Sequence, residues 1–169
     1  MNKKGQFYLI AALVVTSILI GFITMTNSSR VSSIFKYSNL NEEIELESWK
    51  TINYGIANSL SNPEILDLLG NLARSYINNS PETNSYFLFG TNESAKMVAY
   101  QKTQLSVELD DVPQNIGTQQ IYSVDVSPSE NFLILEIDGN RYSFEFNEDY
   151  KFYYIMYNLN NGEVYVTHN

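Results

Sequence analysis

Residues 132–146 read FLILEIDGNRYSFEF, and this stretch decides how the C-terminal half of the chain folds. In its second arm Tyr142, Phe144 and Phe146 alternate with Ser143 and Glu145, the period of two that lines one face of a strand with apolar side chains. Between the arms stands Asp138-Gly139, a pair that accepts the positive φ angles of a two-residue turn. The spacing therefore predicts a β-hairpin of Phe132–Ile137 and Arg141–Phe146.

Outward from this hairpin the same period continues. Downstream, Tyr150–Tyr157 is apolar or aromatic on both faces, which predicts a central strand. It is joined through Asn161-Gly162 to Glu163–Thr167 in a second hairpin. Upstream, Tyr86–Phe89, Lys96–Gln101, Leu105–Leu109 and Gln120–Val126 read as further strands. Strands of this number and spacing predict a small β-sandwich, or a twisted sheet carrying two helices.

Before Ser85 the period is helical. Asn39, with Glu42 three residues on, reads as a capping box, and Ile44, Trp49, Ile52, Ile56 and Leu60 follow as one apolar face. Glu42, Glu43, Glu45 and Glu47 sit in the first turns, where the helix dipole favours negative charge; they read as a solvated helix start. Asn62-Pro63 opens a second helix with proline at a first-turn position, and Ile65, Leu66, Leu69, Leu72, Ala73, Tyr76 and Ile77 form its predicted buried face. Asn78-Asn79-Ser80-Pro81 ends it.

The N-terminal part differs in kind. Phe7 to Met25 reads FYLIAALVVTSILIGFITM, without a charge and with eleven Leu, Ile, Val and Phe. As a helix it spans about 28 Å, close to the hydrocarbon thickness of a bilayer. Its apolar residues favour insertion by about 3–7 kcal/mol. A cleaved secretory signal has a shorter apolar core and a small-residue cleavage site, which Thr24-Met25-Thr26-Asn27-Ser28 does not supply. The segment is expected to be a single transmembrane helix, and Lys3 and Lys4 before it place the N-terminus in the cytoplasm.

Charge and composition narrow the function classes. The 169 residues carry a net charge of −9, and no acidic residue precedes Glu42. A domain this acidic repels phosphates, so nucleic acid is not an expected partner. With no cysteine there are no disulfides, thiolate metal sites or cysteine nucleophiles. The single histidine, His168, lies close to the C-terminal end, and no nucleophile–base motif appears. No catalytic, cofactor-binding or metal-binding residue is assigned, and an enzyme is not expected. Asp110-Asp111 with Glu108 or Asp125 supplies oxygen ligands but no spaced calcium loop, so it reads as a solvated turn. The Tyr and Phe residues between Tyr142 and Tyr157 are of a kind that stacks on sugars, although their spacing favours sheet packing. Asn27, Asn78 and Asn92 open sequons; Asn78 and Asn92 are the candidate glycosylation sites, Asn27 being close to the bilayer.

Lys3-Lys4-Gly5-Gln6-Phe7, running directly into the apolar stretch, resembles the class III signal of archaeal and bacterial type IV pilin precursors. The order Lys-Lys-Gly-Gln, apolar helix, Ser/Asn-rich joint and Glu-rich amphipathic helix with Trp49 and Tyr54-Gly55 is also similar to that of archaeal membrane proteins with such signals. The resemblance implies cutting between Gly5 and Gln6 by a prepilin peptidase that leaves the apolar helix on the mature chain. It implies a β-rich head, and self-association or contact with other pilins through the helix residues Phe7, Ile10, Ala11, Leu13, Val14, Ile18, Gly21 and Phe22. Many pilins carry a glutamate at the fifth mature position, where this chain has Ile10.

The expected fold is therefore α+β: an N-terminal transmembrane helix, a short helical connector and a C-terminal antiparallel β-rich, sandwich-like domain. The expected boundaries are 1–27 for signal and membrane helix, 28–80 for the connector and 81–169 for an extracytoplasmic β-rich domain. Two functions fit: a pilin-like surface protein contributing to a type IV pilus-like filament, or a single-pass anchored surface protein whose outer domain binds a partner or the cell envelope.

Overall fold

The computed structural model describes residues 40–129, 131–158 and 163–167. Two compact units are distinguished, Met1–Glu43 and Ile44–Asn169, and nearly all described residues belong to the second. Helix α1 is described over residues 40–57 and helix α2 over Asn62–Asn79. Among the described residues nine strands follow: β1 Asn84–Gly90, β2 Ala95–Tyr100, β3 Val107–Leu109, β4 Val112–Pro113, β5 Ile121–Val126, β6 Phe132–Ile137, β7 Asn140–Glu145, β8 Lys151–Asn158 and β9 Glu163–Thr167.

All strand pairs are antiparallel, in two sheets ordered β5-β2-β1-β8-β9 and β4-β3-β6-β7. Tyr86, Leu88, Met97, Ala99, Tyr153 and Ile155 of the first sheet meet Val107, Leu109, Leu133, Leu135 and Phe144 of the second in one buried core. The alternate residues of β1 and β8 form a second layer, in which Phe89 stacks on Phe152 at 5.5 Å and Phe87 lies 5.9 Å from Phe152. Helix α2 packs against β1 and β2 on the first sheet. This explains why β1 is buried at every position: a sheet covers one face and a helix the other. Lys96 of β2 reaches Asp67 of α2 at 3.0 Å and Asp125 of β5 at 3.5 Å, tying the helix to the sheet.

The hairpin of residues 132–146 forms with Ile137 opposite Asn140. Asp138 and Gly139 take φ values of 49° and 79°, a type I′ turn. A second turn of this kind joins β3 to β4 through Asp110 and Asp111, with φ values of 48° and 60°. Aspartate tolerates the left-handed region because its short side chain bonds locally. At the end of β1, Gly90 has φ +144°, and a Cβ there would stand 2.3 Å from the Ser94 carbonyl oxygen. Only glycine fits.

The two helices meet tightly. Helix α1 ends in a Schellman motif: Leu60 N–H donates to the Gly55 carbonyl at 3.0 Å, Ser59 N–H donates to the Ile56 carbonyl at 3.0 Å, and Ser59 itself has φ 55°. Ser61 then caps α2, its N–H donating to the Glu64 carboxylate at 2.7 Å and its hydroxyl at 2.6 Å. These bonds hold the Glu64 carboxyl below the usual glutamate value. A Cβ on Gly55 would stand 2.6 Å from Ile65 Cγ1, so glycine permits the close approach of α1 and α2. The Tyr76 hydroxyl donates to the Glu47 carboxylate at 2.9 Å across the same pair.

The fold class expected from the sequence is corrected here. Among the described residues no helix is long and apolar enough to cross a membrane. Helix α2 is not a connector but an outer layer of the same compact unit as the strands, and the strands form two antiparallel sheets. The physical reason is that Leu66, Leu69, Ala73 and Ile77 must be buried, and the outer face of β1, with Phe89 beside α2, needs a cover. The expected spanning segment Phe7 to Met25, the Asn39 cap, the Asn161-Gly162 turn and His168 lie outside the described residues.

The expected face of α1 is corrected in part: Ile44 is buried and Ile52 and Leu60 are half-buried, but Trp49 and Ile56 are not. Ile44, Ser48 and Gly55 are buried, while Trp49 and Ile56 are 61% and 57% exposed and Leu46 and Tyr54 stand out beside them. A glycine and a serine let α1 lie close to its neighbour, and bulky Trp49 is turned outward. On α2 the buried face matches the apolar spacing except at Leu72, which is half-buried, and Gly70, which is buried.

Candidate functional site: a depression beside the β6–β7 turn

Residues of both sheets and of the segment before β3 meet near the β6–β7 turn. A shallow depression with room for about one water, partly open to solvent, lies there. Leu105, Ile137 and Ile155 give it an apolar lining, Tyr142 and Tyr157 stand half-buried beside them, and Asp138 and Asn140 are exposed.

Each residue is placed by a local device. Asp138 and Asn140 are fixed by the type I′ turn, and Asp138 N–H donates to the Ser106 carbonyl at 2.9 Å, binding the turn to the segment before β3. Leu105 on that segment is held by buried Gln101, whose amide donates to the Leu105 carbonyl at 3.2 Å and to the Tyr86 hydroxyl at 2.9 Å. Ile155 lies opposite Tyr86 in the β1–β8 register, and Tyr142 opposite Leu135 in the β6–β7 register.

Burial raises the Tyr86 phenol to about 12; the Gln101 hydrogen bond opposes this, and the Asp138 charge adds to it. Burial likewise raises Tyr142, with a further contribution from Tyr157, so the two phenol groups are close enough to interact. Neither hydroxyl has a hydrogen-bond partner among the described residues, and the Asp138 carboxylate has no ion pair among them. The depression thus combines an apolar base with acceptors that have unused capacity. Among the described residues no Lys or Arg lines it, and Arg141, between Asn140 and Tyr142, instead reaches Asp111 at 3.4 Å.

The expected site residues fall elsewhere. Lys3, Lys4, Gly5, Gln6 and the helix residues Phe7, Ile10, Ala11, Leu13, Val14, Ile18, Gly21 and Phe22 are outside the described residues. Asn78 is exposed on the last turn of α2. Asn92 is half-buried in the β1–β2 turn, where its amide donates to Asn131 Oδ1 at 3.2 Å and its N–H to the Asn147 carbonyl at 2.8 Å. Of the two, Asn78 offers the freer side chain to a modifying enzyme.

Of the aromatic residues between Tyr142 and Tyr157, Phe144, Phe146 and Tyr153 belong to the inter-sheet core, with Tyr153 5.1 Å from Phe144 and 5.4 Å from Phe146. Tyr150 donates to Asn62 Oδ1 at 2.6 Å. Only Tyr142 and Tyr157 line the depression. Asp110 is held by its turn, with its carboxylate accepting from Ile134 N–H at 2.8 Å, while Asp125 pairs with Lys96 in the other sheet. Among the described residues no three His, Cys, Asp or Glu side chains gather as metal ligands. Sequence reading does not find the depression, because its walls come from three separate segments; the Asp138-Gly139 turn is the one local signal within it. No protein-family model, curated protein or solved structure matches the chain.

Proposed function

We propose that the chain is a pilin-like, membrane-anchored surface protein that contributes to a type IV pilus-like filament and performs no catalysis. The observation that carries this reading is Lys3-Lys4-Gly5-Gln6 set directly before the uncharged run Phe7 to Met25. In this reading the basic pair stays in the cytoplasm, a prepilin peptidase cuts after Gly5, and the apolar run remains as the anchor in membrane lipid. Lateral association with other copies or other pilins then uses its small residues Ala11, Ala12 and Gly21, where backbones can approach. The acidic remainder of the chain suits an extracytoplasmic position in which copies must stay dispersed until assembled.

N-terminal sequencing of membrane-extracted protein tests this. A mature chain beginning at Gln6 is expected; an intact Met1 overturns the pilin reading. Ile10, where many pilins have glutamate, favours a second reading: a permanently anchored single-pass surface protein that neither is cut nor assembles. Gly5→Val separates the two, since a pilin precursor accumulates uncut whereas a permanent anchor is unaffected.

A further inference from the structure

We propose that the outward face of α1 pairs, in parallel and in register, with the same face of a second copy of this chain. Ile44, Ser48 and Gly55 turn one side of the helix into the compact unit. On the other side Leu46, 51% exposed, stands out with Trp49, Asn53 and Ile56. These four follow at intervals of three, four and three, alternating the first and fourth positions of a seven-residue repeat. Such spacing draws one narrow stripe along a helix, and its Leu46, Trp49 and Ile56 are apolar surface that the fold leaves uncovered.

The residues on and beside the stripe select the occupant. Glu45 and Lys50 flank it on opposite sides, five residues apart. In a parallel pair in register, that spacing sets Glu45 of each copy against Lys50 of the other. Both are exposed, and neither has an ion pair among the described residues. An antiparallel pair sets like flanks together and loses both contacts. Asn53 stands at a first position of the repeat, where a lone asparagine specifies register against its own copy. A lipid surface fits less well, because helices that lie on membranes carry Lys and Arg beside their apolar face, whereas Glu42, Glu43, Glu45 and Glu47 surround this one. Glu42, one repeat before Trp49, meets its own like charge and limits the contact to the stretch from Glu45 onward. A stripe this short holds a pair only where copies are concentrated. The contact lies outside the apolar run and needs no cut after Gly5.

The chain has no cysteine, so single cysteines report the contact in the full-length protein. Intact cells are oxidised with diamide and the chains resolved on non-reducing gels. Leu46→Cys, Asn53→Cys and Ile56→Cys should each yield a disulfide-linked dimer, since equal positions of a pair in register face one another. Tyr54→Cys and Asn58→Cys, off the stripe, should link about tenfold less. All five positions are exposed, so the fold tolerates the changes. Lys50→Glu added to Asn53→Cys should lower the yield about fivefold, and Glu45→Lys added to both should restore it. Equal linking at all five positions means collision alone. Linking only between co-produced Leu46→Cys and Ile56→Cys chains means an antiparallel or staggered pair, and no dimer at any stripe position means that no second copy covers the face. Each of these results, or no rescue by the charge exchange, overturns the proposal.

Discussion

Two glycines, each on a helix and each buried, should respond to the same substitution with opposite signs. Gly70 lies in the interior of α2, where alanine is favoured over glycine by about 0.8–1.0 kcal/mol. A Cβ there would meet Arg74 Nη1 at 3.5 Å and Phe89 Cζ at 3.7 Å, ordinary contact distances. Gly70→Ala should therefore stabilise the protein by about 1 kcal/mol, slightly more if the methyl fills space against Phe89. Gly55 lies in the last turn of α1, so alanine gains less helix propensity there. Its Cβ would stand 2.6 Å from Ile65 Cγ1 and 3.1 Å from Ile65 Cδ1, well inside the 3.5–4.0 Å optimum for carbon pairs.

Ile65 is 2% exposed and has no free direction in which to move. Overpacking of this kind costs about 1–3 kcal/mol, so Gly55→Ala should destabilise on balance. Thermal unfolding of the full-length variants, followed by circular dichroism, reads the difference. About 1 kcal/mol corresponds to roughly 3–5 °C for a unit of this size, so the midpoints should separate by about 5–15 °C with Gly70→Ala the higher. Equal shifts in the same direction would mean that helix propensity alone governs both sites, and the close approach of α1 to α2 would be refuted.

Alkaline unfolding should report Tyr86. Its phenol titrates near 10 when unfolded and near 12 when folded, so stability is full below about pH 10 and falls as pH rises from about 10 to 12, by about 2–3 kcal/mol in all. Tyr86→Phe should remove about one proton from that slope in denaturant titrations across the range; an unchanged slope contradicts the burial of this group. The orientation of α1 gives a further check. Trp49→Ala should change stability by less than about 0.5 kcal/mol because Trp49 faces outward, whereas Ile44→Ala should cost about 2–5 kcal/mol. A loss with Trp49→Ala as large as that with Ile44→Ala in urea midpoints would restore Trp49 to the inward face read from apolar spacing.

Much of this architecture was legible because its causes are local. Asp138-Gly139 specifies a turn within four residues, and the arms beside it carry their own period, so β6 and β7 fall where the alternation puts them. Helix α2 was legible for the same reason: its proline, its apolar spacing and its end lie within eighteen residues. The Asp110-Asp111 turn was not read as a hairpin, because aspartate enters the left-handed region less readily than glycine and signals it only weakly. The candidate depression was illegible, since Leu105, Asp138, Tyr142 and Ile155 become neighbours only through strand order.

The sequence by itself determined where helix α2 and most of the strands form, because periodicity acts over a few neighbouring residues. Only the tertiary structure decided which face of α1 turns inward, that α2 covers β1 and β2, and that Gln101 and Tyr86 share a buried hydrogen bond. Apolar burial has no direction of its own. Shape makes that choice: a glycine that lets two helices touch decides more than a tryptophan that would hold them apart.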